Sequence, residues 1–198
     1  IRVNCDLRHV DVVLCCDPKA FTHANPLSGL RPGGVMIWEN AEKDPVLAWQ
    51  RIPKKYRKAI IEKKIRIYTL DGFDIAAKAT ALKDLQLRMQ GNSFLGAFFK
   101  VSPFLKEYRI PDEEFLRIVE AQYHKKFGKL GEGVIQSNMM VMREGFSRVK
   151  ELPHGDPDAP DTSGMIGKIL APGLGNPAAG AEAPAPVRVP FHSREMFD

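Results

Sequence analysis

Three short apolar runs constrain this chain more than anything else in it. Val10–Cys16, Val35–Trp38 and Ile65–Leu70 are dominated by β-branched and other apolar residues. Each ends at residues that stop a strand: Asp17-Pro18, Glu39-Asn40 and Asp71. Nearly continuous hydrophobicity, rather than strict alternation, is what a strand covered on both faces requires, and such strands belong to parallel sheets with helices on either side. Helical patterns separate and follow the runs. The expectation is therefore an α/β fold: a Rossmann-like, mostly parallel sheet with flanking helices and right-handed crossovers.

The stretches between the runs fill in that scheme. Ile1–Asn4 reads as the end of a strand, and Asp17-Pro18 opens a short helix predicted to run through about Leu27. Arg31-Pro-Gly-Gly34 reads as a turn, and a loop follows Asn40. Pro53 suits the first turn of a helix over Pro53–Lys63, and an Ala-rich helix is predicted over Asp74–Leu82. Another helix begins at Gly91 and runs to Val101. Pro111–Phe127 is amphipathic, with Phe115, Ile118, Val119 and Tyr123 on one face, acids at its start and Gly128 at its end. Gly131–Gly133 is a loop and Val134–Val149 a last helix.

Within this order, Arg88–Lys100 combines small residues (Gly91, Gly96, Ala97) with aromatic bulk and a single Asn92. That pattern predicts a tightly packed junction with one polar anchor. A buried amide left without partners costs roughly 1–3 kcal/mol per group, so Asn92 is expected to be bonded.

Composition changes after Leu152. Residues 1–151 carry 26 Lys and Arg against 18 Asp and Glu, a balance of +8, whereas 152–198 carry 3 against 6, a balance of −3. His154–Pro190 is rich in Pro, Gly, Ala and Asp and nearly free of aromatics, a composition that cannot offset its ordering entropy by burial. The expected organisation is an α/β domain over 1–151 and an extended Pro/Gly/Ala-rich tail or linker over 152–198, whose last part, Val187–Phe197, has enough apolar residues to dock. The basic residues, including Lys54-Lys55 and Arg57-Lys58, read as solvated helix faces, with a site for an anionic ligand or acidic partner as the alternative. There is no signature of a nucleic-acid module.

Chemistry is sparse. Cys5, Cys15 and Cys16 form neither a CxxC nor a ferredoxin-type run, and adjacent strand residues point to opposite faces, so Cys15 and Cys16 read as unbridged buried thiols. That usage fits a reducing, cytoplasmic compartment. No run approaches the ~20 apolar residues of a membrane span, and no signal peptide is recognisable. The chain starts with Ile close to a strand pattern, as a piece of a longer parent would. No histidine pair has metal spacing, no G-x-S-x-G surrounds a serine, and no GxGxxG follows a strand. The strand-end residues Asp17, Glu39, Asn40 and Asp71 are the natural site candidates, because open α/β sheets gather ligands at the carboxyl ends of strands, although helix caps and turn residues are the more ordinary reading of the same positions.

An ordered set of short motifs then carries a resemblance. Leu30-Arg-Pro-Gly-Gly-Val35 leads into a strand ending at Asn40; Ile52-Pro53 opens a basic helix; Ile67-Tyr-Thr-Leu-Asp71 precedes Ile75-Ala76. Arg88, Asn92 and Leu95-Gly-Ala-Phe98 follow, then Phe127-Gly-Lys-Leu-Gly131, Val134, Asn138 and Arg143-Glu-Gly145. Over Val10–Val149 this order resembles the gamma subunit or domain of thiamine-diphosphate-dependent 2-oxoacid:ferredoxin oxidoreductases, the group containing the pyruvate, 2-oxoglutarate and phenylglyoxylate enzymes. The resemblance implies a Rossmann-like domain in an enzyme that converts a 2-oxoacid and coenzyme A to an acyl-CoA, carbon dioxide and reduced ferredoxin. Thiamine diphosphate, Mg2+ and 4Fe–4S clusters are then expected on alpha, beta and ferredoxin-like delta parts, with none bound by this chain alone and no catalytic residue on it. Its role would be structural, with Asn40 and Asn92 as the positions that could face coenzyme A. Gly33, Gly34, Gly96, Ala97 and Asn138 match as packing or turn positions. Two features depart from the family: the Gly-rich strand–loop–helix that normally opens the gamma region is absent, and the tail is not part of the common pattern. A nucleotide-binding dehydrogenase domain and a non-enzymatic assembly module are the alternative readings.

Overall fold

The computed structural model of the protein describes residues 8–165. The expectations for Ile1–Asn4, Cys5 and the tail beyond 165 lie outside the described residues. Four strands form one sheet in the order β1 (Val10–Cys15), β2 (Leu30–Glu39), β3 (Arg66–Leu70), β4 (Lys150–Leu152). The first three are parallel, and β4 runs antiparallel to β3, with Ile67 opposite Leu152 and Thr69 opposite Lys150. The α/β class with a mostly parallel sheet and flanking helices is thus what the chain adopts.

Period-two alternation along β2 divides the core. Met36 and Trp38 join Phe21, Trp49, Ile52, Ile60 and Ile65 on one face; Val35 and Ile37 join Leu70, Ile75, Phe94, Ala97 and Val141 on the other. The first face is covered by α1 (Ala20–His23), α2 (Pro45–Gln50) and α3 (Lys54–Glu62), the helices of the two crossovers. Strands added in one direction by crossovers of one hand must place those crossovers on one face. Helices C-terminal to β3 cover the second face: α4 (Gly72–Ala79), α5 (Lys83–Val101) and α8 (Glu132–Arg148). A short α6 (Phe104–Glu107) and α7 (Asp112–Phe127) precede a 3-10 turn over Gly128–Leu130. Cys15 packs in the first core and Cys16 against the second, as strand neighbours must.

Several boundaries differ from the sequence expectation, each for a local reason. The turn at Arg31–Gly34 is an irregularity inside β2: pairing jumps from Val10–Leu30 to Val12–Val35, and Gly33 takes φ +76°. The helix after Asp17 is only four residues long, because Ala24 is extended and Asn25 forms a tight turn to Leu27 and Ser28. The loop after Asn40 contains α2, capped by Asp44 and begun by Pro45. α4 starts at Gly72 and ends at Ala79, and α5 begins eight residues before Gly91. Strand β4 is too short, at three residues, to show a period in the sequence.

Residues 153–165, expected to begin the tail, pack on the domain. Pro153–Met165 lies on the α2–α3 side of the domain, and the compact unit includes it. Trp49 Nε1 donates to Asp156 O (2.8 Å), His154 Nε2 meets Ile65 O (2.7 Å) and Thr162 N donates to Gln50 O (2.9 Å). Arg57, expected on a solvated face, is fully buried and supplies most of this anchorage. Its guanidinium donates to the carbonyls of Ile52 (2.8 Å), Gln50 (3.0 Å), Pro160 (2.8 Å) and Ala159.

Candidate functional site

The carboxyl ends of β1, β2 and β3 bring together residues far apart in sequence. At the end of β2, Glu39 is buried with 2% of its surface exposed. Its Oε2 accepts from Gly72 N (3.1 Å) at the start of α4 and from Gln90 Nε2 (2.7 Å) on α5. Gln90 Nε2 also donates to Cys16 O (2.8 Å), so one side chain ties the ends of β1 and β2 to α5. Asp71, ending β3, caps α4 through Asp74 N (3.3 Å) and pairs with Lys43 (3.0 Å).

Glu39 titrates abnormally. Burial drives its carboxyl from 4.5 up to about 8; hydrogen bonds from Gln90 and from the Phe73 and Gly72 amides oppose the rise, and the Asp71 charge adds to it. The folded protein therefore holds this proton where the unfolded chain releases it. The resulting stability is full below about pH 4.5, declines as pH rises toward about 8, and is level above that. At about 1.4 kcal/mol per unit the effect is at most roughly 5 kcal/mol. Glu39→Gln, which mimics the protonated acid, is expected to flatten the fall in unfolding free energy between pH 5 and 8.5. Equal slopes for the variant and the parent in denaturant titrations would contradict this account.

Asn40, the next residue, is 5% exposed. Its Oδ1 accepts from Glu42 N (2.9 Å) and from Arg51 Nη1 (3.0 Å), and Arg51 in turn pairs with Glu42. Two N–H donors on one oxygen fix the amide's orientation. The amide nitrogen, Nδ2, is then a buried donor with no protein partner. Asn40 lines a pocket of about 400 Å³ with Lys43, Thr69, Asp71, Arg148 and Lys150, walled by Pro45, Ala48 and Leu152. Glu42 and Glu151 also line it, so three carboxylates balance three cations beside the apolar wall, and the unfilled Asn40 donor is itself buried.

The other expected positions fall elsewhere. Asp17 binds Lys19 N (2.8 Å) and His23 (3.0 Å) and is exposed. Asn92 is not near Asn40's pocket; it lines a separate groove between α5, α7 and α8. There it donates to Asn138 O (2.9 Å) and accepts from Tyr123 Oη, so the amide is bonded and ties three helices. Gly96 and Gly145 mark the crossing of α5 and α8. Sequence reasoning missed Gln90, Arg51 and Lys150. Gln90 sits in the first half of α5, where the apolar positions Leu85, Leu87 and Met89 are mixed with charged and amide residues. Arg51 follows α2, whose Asp44-Pro45 start was the available signal.

Among the described residues no group of three or more His, Cys, Asp or Glu is placed to hold a metal ion. The thiols of Cys15 and Cys16 are pushed up, chiefly by burial, to about 12 and about 11, the wrong direction for thiolate ligands. No helix among the described residues is long and apolar enough to cross a membrane.

A family model described as pyruvate ferredoxin/flavodoxin oxidoreductase matches residues 1–148. The chain is 25% identical over 148 residues to the pyruvate:ferredoxin oxidoreductase of Moorella thermoacetica, covering 73% of this chain and 11% of that protein. It is 23% identical over 150 residues to the pyruvate-flavodoxin oxidoreductase of Klebsiella pneumoniae, covering 74% and 12%. The chain thus spans about a tenth of the length of these curated relatives. Among solved structures it is similar to pyruvate oxidoreductase subunit PORC of Thermotoga maritima, with TM-score 0.49 and 19% identity, over 74% of this chain and 67% of that one.

Proposed function

The chain belongs to the pyruvate ferredoxin/flavodoxin oxidoreductase family, and we propose that it serves there as the gamma component of a thiamine-diphosphate-dependent 2-oxoacid:ferredoxin oxidoreductase. In this reading the assembled enzyme turns a 2-oxoacid and coenzyme A into an acyl-CoA and carbon dioxide and reduces ferredoxin. Pyruvate is the substrate that the names of the relatives favour. Thiamine diphosphate, Mg2+ and 4Fe–4S clusters sit on alpha, beta and delta partners; together they supply the decarboxylation and carry the electrons. The match over residues 1–148 carries this reading.

This chain's own contribution is assembly and the shaping of coenzyme A's approach at the strand-end pocket. Asn40 supports that placement, because its Nδ2 needs an acceptor that the protein does not provide. The Glu42 and Arg51 contacts fix the amide's orientation, and the buried donor meets its acceptor only when coenzyme A displaces what covers it. Asn92, fully engaged within its own groove, serves packing. A dehydrogenase reading is disfavoured at β1: Lys19 N, where a phosphate-binding turn would begin, is already bonded by the Asp17 carboxylate.

Two measurements test this. The tagged chain, purified from its source, should bring partner chains carrying thiamine diphosphate and iron–sulfur clusters; 2-oxoacid decarboxylation by the isolated chain would overturn the proposal. In the assembled enzyme Asn40→Asp keeps the Oδ1 acceptor but removes the donor. It should raise the KM for coenzyme A about tenfold, the worth of one hydrogen bond of about 1.4 kcal/mol, and leave that for the 2-oxoacid unchanged. An unchanged KM for coenzyme A would remove the pocket's role while leaving the family reading intact.

A further inference from the structure

The groove around Asn92 holds about 830 Å³ between α5, α7, α8 and the Gly128–Leu130 turn. Leu85, Met89, Leu95, Phe127, Leu130 and Val134 line it. Leu130 is 66% exposed and Leu95 40%, and Leu82, just before α5, extends the apolar strip at 65%. Leu82, Leu85, Met89, Asn92 and Leu95 recur at three- and four-residue steps, so they form one stripe along the helix. From Leu85 to Leu95 the stripe spans roughly 15 Å, the length of about three helical turns.

Its polar floor is already satisfied. Asn92 bonds Asn138 O and Tyr123 Oη, and Asn138 Nδ2 donates to Val134 O (2.8 Å). A polar small molecule would have to break those bonds, whereas an apolar side chain would not. The rim is cationic. Arg88 lines the groove and Lys129 lies on the 3-10 turn, and among the described residues neither has a carboxylate partner. Lys126 sits over the Phe127 ring at 5.3 Å.

We propose that this groove is a docking site for an amphipathic helix of a partner protein, with an apolar strip of about three turns flanked by Asp and Glu. The apolar stripe seats the strip, and Arg88, Lys126 and Lys129 select the acidic flanks. A second copy fits poorly, since a two-fold contact would set the same three cations against themselves. The concave shape suits an inserted helix better than a flat lipid surface.

The probe is a labelled synthetic 14-residue helix with Leu at i, i+3, i+4, i+7 and i+11 and Glu on both flanks, titrated with the full chain by fluorescence anisotropy. It should bind, and a counterpart with Lys in place of Glu should bind at least about tenfold more weakly. Leu95→Glu should weaken binding about tenfold, and Arg88→Glu should reduce both affinity and its salt dependence. Both residues are exposed, so melting curves of the variants should match the parent. Absence of binding, equal binding of the two peptides, or indifference to Leu95→Glu would overturn the proposal. So would self-association in sedimentation that Leu95→Glu abolishes, or binding to phosphatidylserine vesicles in preference to the acidic peptide.

Discussion

Gly145→Ala is expected to destabilise the domain by about 3 kcal/mol or more, although alanine is the better helix former. In an exposed helix the exchange would gain roughly 1 kcal/mol. At this position an added Cβ runs into the Ser93 carbonyl oxygen, 2.6 Å from its carbon and 2.7 Å from Ser93 Cα. All three atoms are backbone, so no rotamer change relieves the contact and α5 and α8 must separate. That separation would open the core around Phe94, Ala97 and Val141, which are completely buried. Gly96 faces the same crossing from the other helix, with its space closed by the Met142 carbonyl and Phe146 N; Gly96→Leu should behave likewise. Gly91, on α5 with nothing within 4 Å of its added Cβ, is the internal control. Thermal melts should place Gly91→Ala at or above the parent and Gly145→Ala well below it. A Gly145→Ala protein as stable as the parent would mean that the helices do not cross this closely.

Arg57→Leu is the second large effect, and it should be local in structure while global in stability. Among the described residues the guanidinium makes no direct ion pair, and the Asp158 and Asp161 carboxylates reach it only through longer-range attraction; four hydrogen bonds to carbonyls, two of them from residues 159 and 160, hold it instead. Leucine fills part of the volume and leaves those oxygens without donors, at roughly 1–3 kcal/mol for each that stays dry. The chain can avoid part of that penalty by releasing Pro157–Met165 into water. The expected result is a loss of about 3–5 kcal/mol, with amide exchange accelerated across 157–165 before any other described segment. Arg57→Lys should fall between, because one ammonium cannot span the same fan of acceptors. Unchanged exchange in that segment would show that Arg57 does not hold it.

Arg57 also shows where the sequence could be read and where it could not. In sequence it is one of a cluster of basic residues on a helix, and its burial depends on carbonyls about a hundred positions away, which no local pattern reveals. Strand β2 was legible because burial on both faces leaves an unbroken apolar run over Val35–Trp38, whereas β1 and β3, which are only partly buried (Leu14 is 42% exposed), were legible from their β-branched and aromatic residues. The helix α7 was legible through its acids, its apolar face and the glycine after it. The first half of α5 was not: Leu85, Leu87 and Met89 are spread among polar residues and stay partly or largely exposed, so no continuous buried face marked the start of the helix. The strand-end candidates could be named from the rule that loops after parallel strands collect ligands. The free donor of Asn40 could not, since it depends on which neighbours claim the other half of the amide. Asn92 was expected to be anchored, and it is; its partners Tyr123 and Asn138 come from two later helices.

The anchorage of the 153–165 segment also bears on how the protein is made. When Arg57 leaves the ribosome, its acceptors at Ala159 and Pro160 lie 102 and 103 residues further along the chain and have not been synthesised. Strand β3 likewise waits for β4. The first face of the sheet can therefore assemble early but cannot be sealed until residue 160 or so has emerged. Through that interval the sheet edge and a hydrated guanidinium remain open, which makes this the window in which a nascent chain would need a chaperone.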